Sequence, residues 1–264
     1  MNNRNKDNFH VRHGSSIFAM SVDELRRQFL HTATQKNEIK LFRQDRIGLI
    51  IANETAGIMN EGAKLLVHII PAWSLDDGNT IDIKQLLSDQ YNSMKRPIFS
   101  GDSWAHRFNA DGYCTLFYNN ANQINSYFQI FRNGIIEAVE LRLLERIQRS
   151  SEYDYNWFSC EKAIYEALVC YSNLLRQFDV PKPWFIYVSV LQAKEFKLYN
   201  HYSRGEPLGR DVIHSSIGIW EDDAEELDVI IRHTFDSLAN CFGYSSSNSF
   251  DDDRKYKFAG KALL

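Results

Sequence analysis

Apolar and polar positions along the chain change rhythm several times, and each rhythm predicts an element. Residues 127–131 and 135–140 are β-prone runs on either side of Asn133-Gly134, a pairing that predicts a β-hairpin. Phe128, Ile130, Ile135 or Ile136 and Val139 supply its apolar faces, and Arg132 stands beside the turn with no carboxylate close in sequence until Glu137. Residues 65–70 are apolar on both faces, as a central strand must be, and Pro71 stops them. Residues 184–191 form a second run of that kind, and 9–12, 113–118 and 212–220 read as further strands.

Helical spacing predicts a helix over 21–32, opened by the capping box Ser21 and Glu24, and another over 37–53 with Ile39, Phe42, Leu49 and Ile50 on one face. A short helix is expected near 83–88. Arg142, Arg146 and Arg149 recur on a basic amphipathic face, and 150–156 reads as a loop. A longer helix at 157–178 carries Cys160, Ile164, Leu168, Tyr171 and Leu174 in one stripe and ends before Pro181 and Pro183. The last helix starts at Asp222 and Asp223 and ends at Gly243. No repeat or Gly/Ser/Pro linker divides the chain. This order predicts an α+β fold, a single domain with a mixed sheet, a central β-hairpin and packed helices.

Composition narrows the class. With 264 residues and 44% hydrophobic content the chain can bury one large core. A net charge of -4 gives no global attraction to nucleic acid. Charge is uneven, however: residues 218–253 hold ten carboxylates against Arg232, whereas residues 1–64 hold ten Lys/Arg against seven Asp/Glu. Four cysteines without C-x-x-C spacing indicate neither zinc nor a disulfide framework, so a reduced, cytoplasmic protein is expected. The polar start does not read as a signal peptide, and no apolar run reaches the roughly 18 residues of a membrane span.

The candidate chemistry is sparse. Arg46 falls inside the apolar stripe of its helix, so folding must supply a partner; it is either braced by an acid such as Glu54 or Glu140 or binds a ligand. Gly57 to Lys64 nearly spells a phosphate-binding loop, but Ala63 separates Gly62 from Lys64 and a strand follows, so nucleotide binding is rejected. His68 lies in a buried strand and is expected to be a satisfied core histidine or, alternatively, a catalytic one. Residues 101–112 collect Asp102, Ser103, Trp104, His106, Arg107, Phe108 and Asp111, yet the nucleophile elbow G-x-S-x-G fails at Ala105. The stretch is therefore read as a binding loop. Trp104 and Phe108 serve as packing anchors in it, while His106 and Arg107 face a ligand or water.

Several pieces together carry a resemblance. They are Phe9-His10-Val11-Arg12-His13-Gly14-Ser15-Ser16 with Met20-Ser21-Val22-Asp23-Glu24-Leu25, Phe42-Arg43-Gln44-Asp45-Arg46-Ile47-Gly48 with Asn53-Glu54-Thr55, and residues 62–68, 104–112, 131–137 and 250–251. The first resembles the final strand and exit of the Schlafen-type AlbA-like domain, a nucleic-acid-binding domain of bacterial proteins often labelled ATP-binding. The rest resembles the region that follows it. The resemblance implies that 1–35 is the tail of such a domain with a connecting helix and that 36–264 is an α+β accessory domain. It transfers no catalytic residue, because the body of the AlbA-like domain would lie upstream of Phe9, and the ATP label finds no support in these residues.

The function expected is a non-catalytic binding or regulatory module without cofactor or metal. It would work with an AlbA-like domain in the same or a partner chain and touch nucleic acid weakly, with Arg46, His68, Trp104, His106, Arg107, Arg132 and Asn133 as the candidate ligand-binding residues. The alternative is a hydrolase or nuclease using His68, His106 and neighbouring carboxylates.

Overall fold

The Asn133-Gly134 hairpin forms around a tighter device than a two-residue turn. In a computed structural model of the chain, Gly134 N–H donates to the Phe131 carbonyl at 2.9 Å and Phe131 N–H to Ile135 at 2.8 Å. Gly134 alone of the turn residues takes a positive φ, +82°. This is a three-residue loop with glycine in the left-handed position, which matches the twist of the flanking strands. The strands it joins are β6 (Ile124–Phe131) and β7 (Ile136–Glu140), paired Ile130 to Ile136.

The structure describes residues 9–13, 16–20, 22–99, 104–118, 122–149, 157–196, 208–222, 226–253 and 255–257. Ser21, Asp102, Ser103, Asp223 and the expected loop at 150–156 lie outside them. The chain divides into two compact units, Met1–Arg46 and Ile47–Leu264.

In the first unit, β1 (Phe9–His13) and β2 (Ser16–Met20) form an antiparallel pair with His13 opposite Ser16. Helix α1 (Val22–Ile51) begins in this unit and is continuous through 33–36, where two helices were expected. That stretch is Ala-Thr-Gln-Lys, which contains neither glycine nor proline to stop a helix.

The second unit is built on an eight-stranded sheet. Besides β6 and β7 it contains β3 (Lys64–Pro71), β4 (Ala105–Phe108), β5 (Gly112–Tyr118), β8 (Trp184–Leu191), β9 (Val212–His214) and β10 (Gly218–Trp220). The order is β10-β8-β3-β7-β6-β5-β4, with β9 also on β8. Every ladder is antiparallel; among the described residues, parallel pairing enters the fold through the single bridge Met59 to Ile124. The run expected as one strand over 212–220 is interrupted at Ser215 to Ile217, so β9 and β10 pair with opposite ends of β8.

Alternation sends each strand's side chains to two faces. On one face Val67, Phe128, Ile136, Ala138 and Val188 pack in a core with α2 (Arg142–Arg149), α3 (Trp157–Gln177) and α4 (Leu227–Cys241). On the other, Leu66, Cys114, Leu116, Tyr127, Val139 and Leu191 pack with Ile50, Ala56 and Met59. Each fully buried aliphatic side chain contributes about 1.5–3 kcal/mol relative to exposure, so the two-sided burial of β3 explains why its sequence is apolar without alternation. Gly112 marks a close approach: a Cβ there would overlap the Ile130 carbonyl oxygen on β6. Gly112→Ala is expected to destabilise the fold by about 2 kcal/mol or more; an unchanged urea midpoint would show that the ladder yields there.

Candidate functional site

Pairing places a row of functional side chains across the middle of the sheet. Tyr187 on β8, His68 on β3, Glu137 on β7, Gln129 on β6, Cys114 on β5 and Arg107 on β4 are successive direct partners, so all six start on one face. His68 Nε2 lies 3.0 Å from Glu137 Oε2, and both side chains are 0% exposed. Tyr127 donates its hydroxyl to Glu137 Oε1 at 2.8 Å. Farther along, Asn109 Nδ2 donates to Gln129 Oε1 at 2.7 Å, and Cys114 Sγ lies 3.6 Å from the Arg107 carbonyl. Burial pushes the Cys114 thiol up, which leaves it a poor nucleophile.

Residues 104–112, expected as an irregular loop, contain the edge strand β4, all four residues of which are exposed. Strand alternation separates two of its candidates. Arg107 faces the polar row and its Nη2 donates to the Ala56 carbonyl. His106, opposite Thr115, faces the other way, its ring stacked 5.9 Å from Tyr113. Phe108 stands edge-on to the same ring at 5.3 Å, and Lys95 Nζ lies 5.3 Å from its centroid. Burial, followed by the neighbouring Cys114, raises the Tyr113 phenol to about 12, so it stays neutral at physiological pH. The Lys95 ammonium is itself lowered by burial, an effect partly offset by Asp89. His106 and His68 therefore stand on opposite sides of the sheet.

The remaining candidates are distributed as follows. Arg132 is exposed at the hairpin turn, and its N–H donates to the Asp111 carbonyl at 3.1 Å, which brings the 132–134 turn beside the 109–111 turn. Asn133 is a structural turn residue: its Nδ2 donates to the Ser74 carbonyl at 3.1 Å. Trp104 is half-buried just before β4, and Arg46 is 7% exposed on α1. Glu54 is exposed. Lys64, the last residue of the near phosphate-loop, is buried, and its ammonium bonds the Gly62 carbonyl at 3.2 Å and the Gln192 side chain. Its own loop and Gln192, just past the end of β8, thus occupy it.

Two further buried acids stand outside that row, Glu140, expected as one possible brace for Arg46, and Glu161, which periodicity did not single out. Glu140 ends β7, and its Oε1 accepts from Leu143 N–H at 2.9 Å at the start of α2. Glu161 on α3 accepts from Trp157 Nε1 at 2.9 Å, from Ser247 Oγ at 2.7 Å and from Ser249 Oγ. The available signal was a glutamate at the apolar register of its element: Glu161 immediately follows Cys160 and precedes Ile164 by three.

Fold and site together define an α+β protein whose eight-stranded antiparallel sheet is covered by helices on one face and carries a buried His–Glu–Tyr group on the other. Among the described residues no helix is long and apolar enough to cross a membrane, and no group of three His, Cys, Asp or Glu could hold a metal ion. No family model, curated protein or solved structure matches the chain.

Proposed function

We propose that this chain is a non-catalytic binding or regulatory module that works with an AlbA-like nucleic-acid-binding domain, in the same or a partner chain, and touches single-stranded nucleic acid weakly itself. One observation supports it above the others: exposed β4 presents His106 and Phe108 around the Tyr113 ring. Aromatic groups on an exposed edge stack on unpaired bases at about 1–3 kcal/mol per base, without a catalytic residue. Arg132, exposed beside the 109–111 turn, adds positive charge at the end of the same strands. The net charge of -4 confines the attraction to this locality.

Fluorescence anisotropy with a labelled single-stranded oligonucleotide tests the reading. Binding should weaken as salt rises, and His106→Ala with Phe108→Ala should reduce affinity about tenfold, with stability moved by less than about 1 kcal/mol. Equal affinity in the double variant would remove β4 as the contact surface.

The His68–Glu137 bond favours a second reading, a hydrolase or nuclease. At 0% exposure that pair needs the sheet face to open before a substrate reaches it. A metal-supplemented nuclease assay in which His68→Gln retains any activity seen would exclude His68 from that chemistry.

A further inference from the structure

The chain after α4 folds back over the helices and is fastened there chiefly by acids. Ser247 and Ser249 donate their hydroxyls to Glu161 Oε2, and Ser247 N–H donates to Asp236 Oδ1 on α4 at 2.8 Å. Asp228 on α4 accepts from Tyr256 N–H at 2.9 Å and from the hydroxyl of Tyr165 on α3 at 2.5 Å. Phe250 and Tyr256 pair as an antiparallel bridge, closed by Lys257 N–H to the Ser249 carbonyl at 2.9 Å. Tyr256 stacks on Tyr165 at 4.0 Å, and Phe250 packs 6.1 Å from Phe235. Ser249 is fully buried, and Phe250 and Tyr256 are nearly so. A hairpin this small cannot bury those side chains on its own; the helices beneath it do.

We propose that residues 244–253 with 255–257 form a proton-dependent strap, held closed on α3 and α4 while Glu161 is protonated and loosened when Glu161 ionises. The geometry supplies the reason. Glu161 is completely buried, and its three hydrogen-bond donors, Trp157, Ser247 and Ser249, are all neutral. Two of the three belong to the strap. Serine hydroxyls donate and accept, so the same pair can receive the proton of a neutral Glu161 or donate to its carboxylate.

Among the described residues, the charged and titratable groups around Glu161 do not favour its charge. From its own helix come the Cys160 thiol and the Tyr165 phenol, and from the strap the Tyr256 phenol, all neutral and raised by burial. From α4 come Asp236 and Asp228, both acidic. Also on α4, Arg232 has its Nε 3.8 Å from Asp236 Oδ2. Across the core, Glu140 acts on the same Cys160. Burial, the largest effect, raises Glu161 to about 7; Asp236 adds to it, while Ser249, Ser247 and Trp157 oppose it.

Releasing the strap exposes Glu161 to water and returns it toward the ordinary value of 4.5. Closure therefore takes up a proton. The closed state is favoured fully below about 4.5 and loses about tenfold in its equilibrium for each unit of pH up to about 7, then no more.

Hydrogen exchange followed by mass spectrometry on the full chain, at pH 5.5 and 8.0 with rates corrected for intrinsic exchange, tests this. Protection of the 244–257 peptides should fall at least tenfold at pH 8.0, and in Glu161→Gln it should be the same at both. Because a glutamine in that cluster could impair folding, Ser247→Ala with Ser249→Ala provides a second measurement. That variant should show low strap protection at both pH values while α3 and α4 keep theirs. Wild-type protection independent of pH, or a fall that persists in either variant, would overturn the proposal.

Discussion

Glu140→Gln should be more stable than the parent at pH 8.5, by about 4–5 kcal/mol, and the gap should nearly close as the pH falls to 5. The Glu140 carboxyl is fully buried; Oε1 is bonded to Leu143 N–H, and Oε2 has no hydrogen-bond partner among the described residues. Burial raises it to about 8, against the opposing influence of Ser126, the amides of Leu143 and Arg142, and the Arg142 charge. In the unfolded chain the same group titrates near 4.5. Between those values the folded protein keeps a proton that the unfolded chain has lost, so stability is fully present below about 4.5, falls as pH rises and is lost above about 8. Glu161 behaves likewise up to about 7.

The parent should therefore lose stability with two-proton steepness between about 4.5 and 7 and one-proton steepness from there to about 8. Glutamine at 140 keeps an acceptor for Leu143 and can donate to the Ser126 hydroxyl directly opposite. It removes the segment above 7. Urea unfolding at pH 5, 6.5, 7.5 and 8.5 reads this directly; parallel curves for parent and variant would show that Glu140 does not carry the proton.

Glu137→Ala is expected to cost about 3–5 kcal/mol, because it removes a hydrogen-bond partner from two buried polar groups at once. His68 loses the oxygen 3.0 Å from its Nε2, and Tyr127 loses the acceptor of its hydroxyl, in an interior where water does not replace them. Glu137→Gln retains an oxygen for one of them and should cost less. His68→Leu combined with Glu137→Leu should be less damaging than the sum of the two single leucine changes, since the pair is removed together. Urea unfolding of the four proteins gives the interaction directly. A coupling below about 0.5 kcal/mol would mean that the two side chains are neighbours without mutual support.

Local pattern was sufficient for the elements whose burial is uniform. The apolar runs in β3 and β8 and the stripe of α3 announce themselves because nearly every inward position is filled by a large apolar residue, and Asn133-Gly134 marks its turn by backbone chemistry. Strand β4 gave no such sign: four exposed residues at a sheet edge bury no apolar side of their own, and only pairing with β5 makes them a strand. The two expected N-terminal helices are one because helix formation is cooperative and nothing between them interrupts it.

The sequence by itself determined that His68 is buried, that the 127–140 segment is a hairpin and that the class is α+β, since each follows from side-chain periodicity or turn chemistry within a few residues. Tertiary structure alone decided the rest. Glu137 meets His68 because β3 pairs with β7 in one register, and a shift of one residue would turn Glu137 to the opposite face of the sheet from His68. His106 and Arg107 part company because adjacent residues of a strand point to opposite sides. Glu161 meets Ser247 and Ser249 across separations of 86 and 88 residues, which no local periodicity encodes and only the packing of α3 against the returning chain creates.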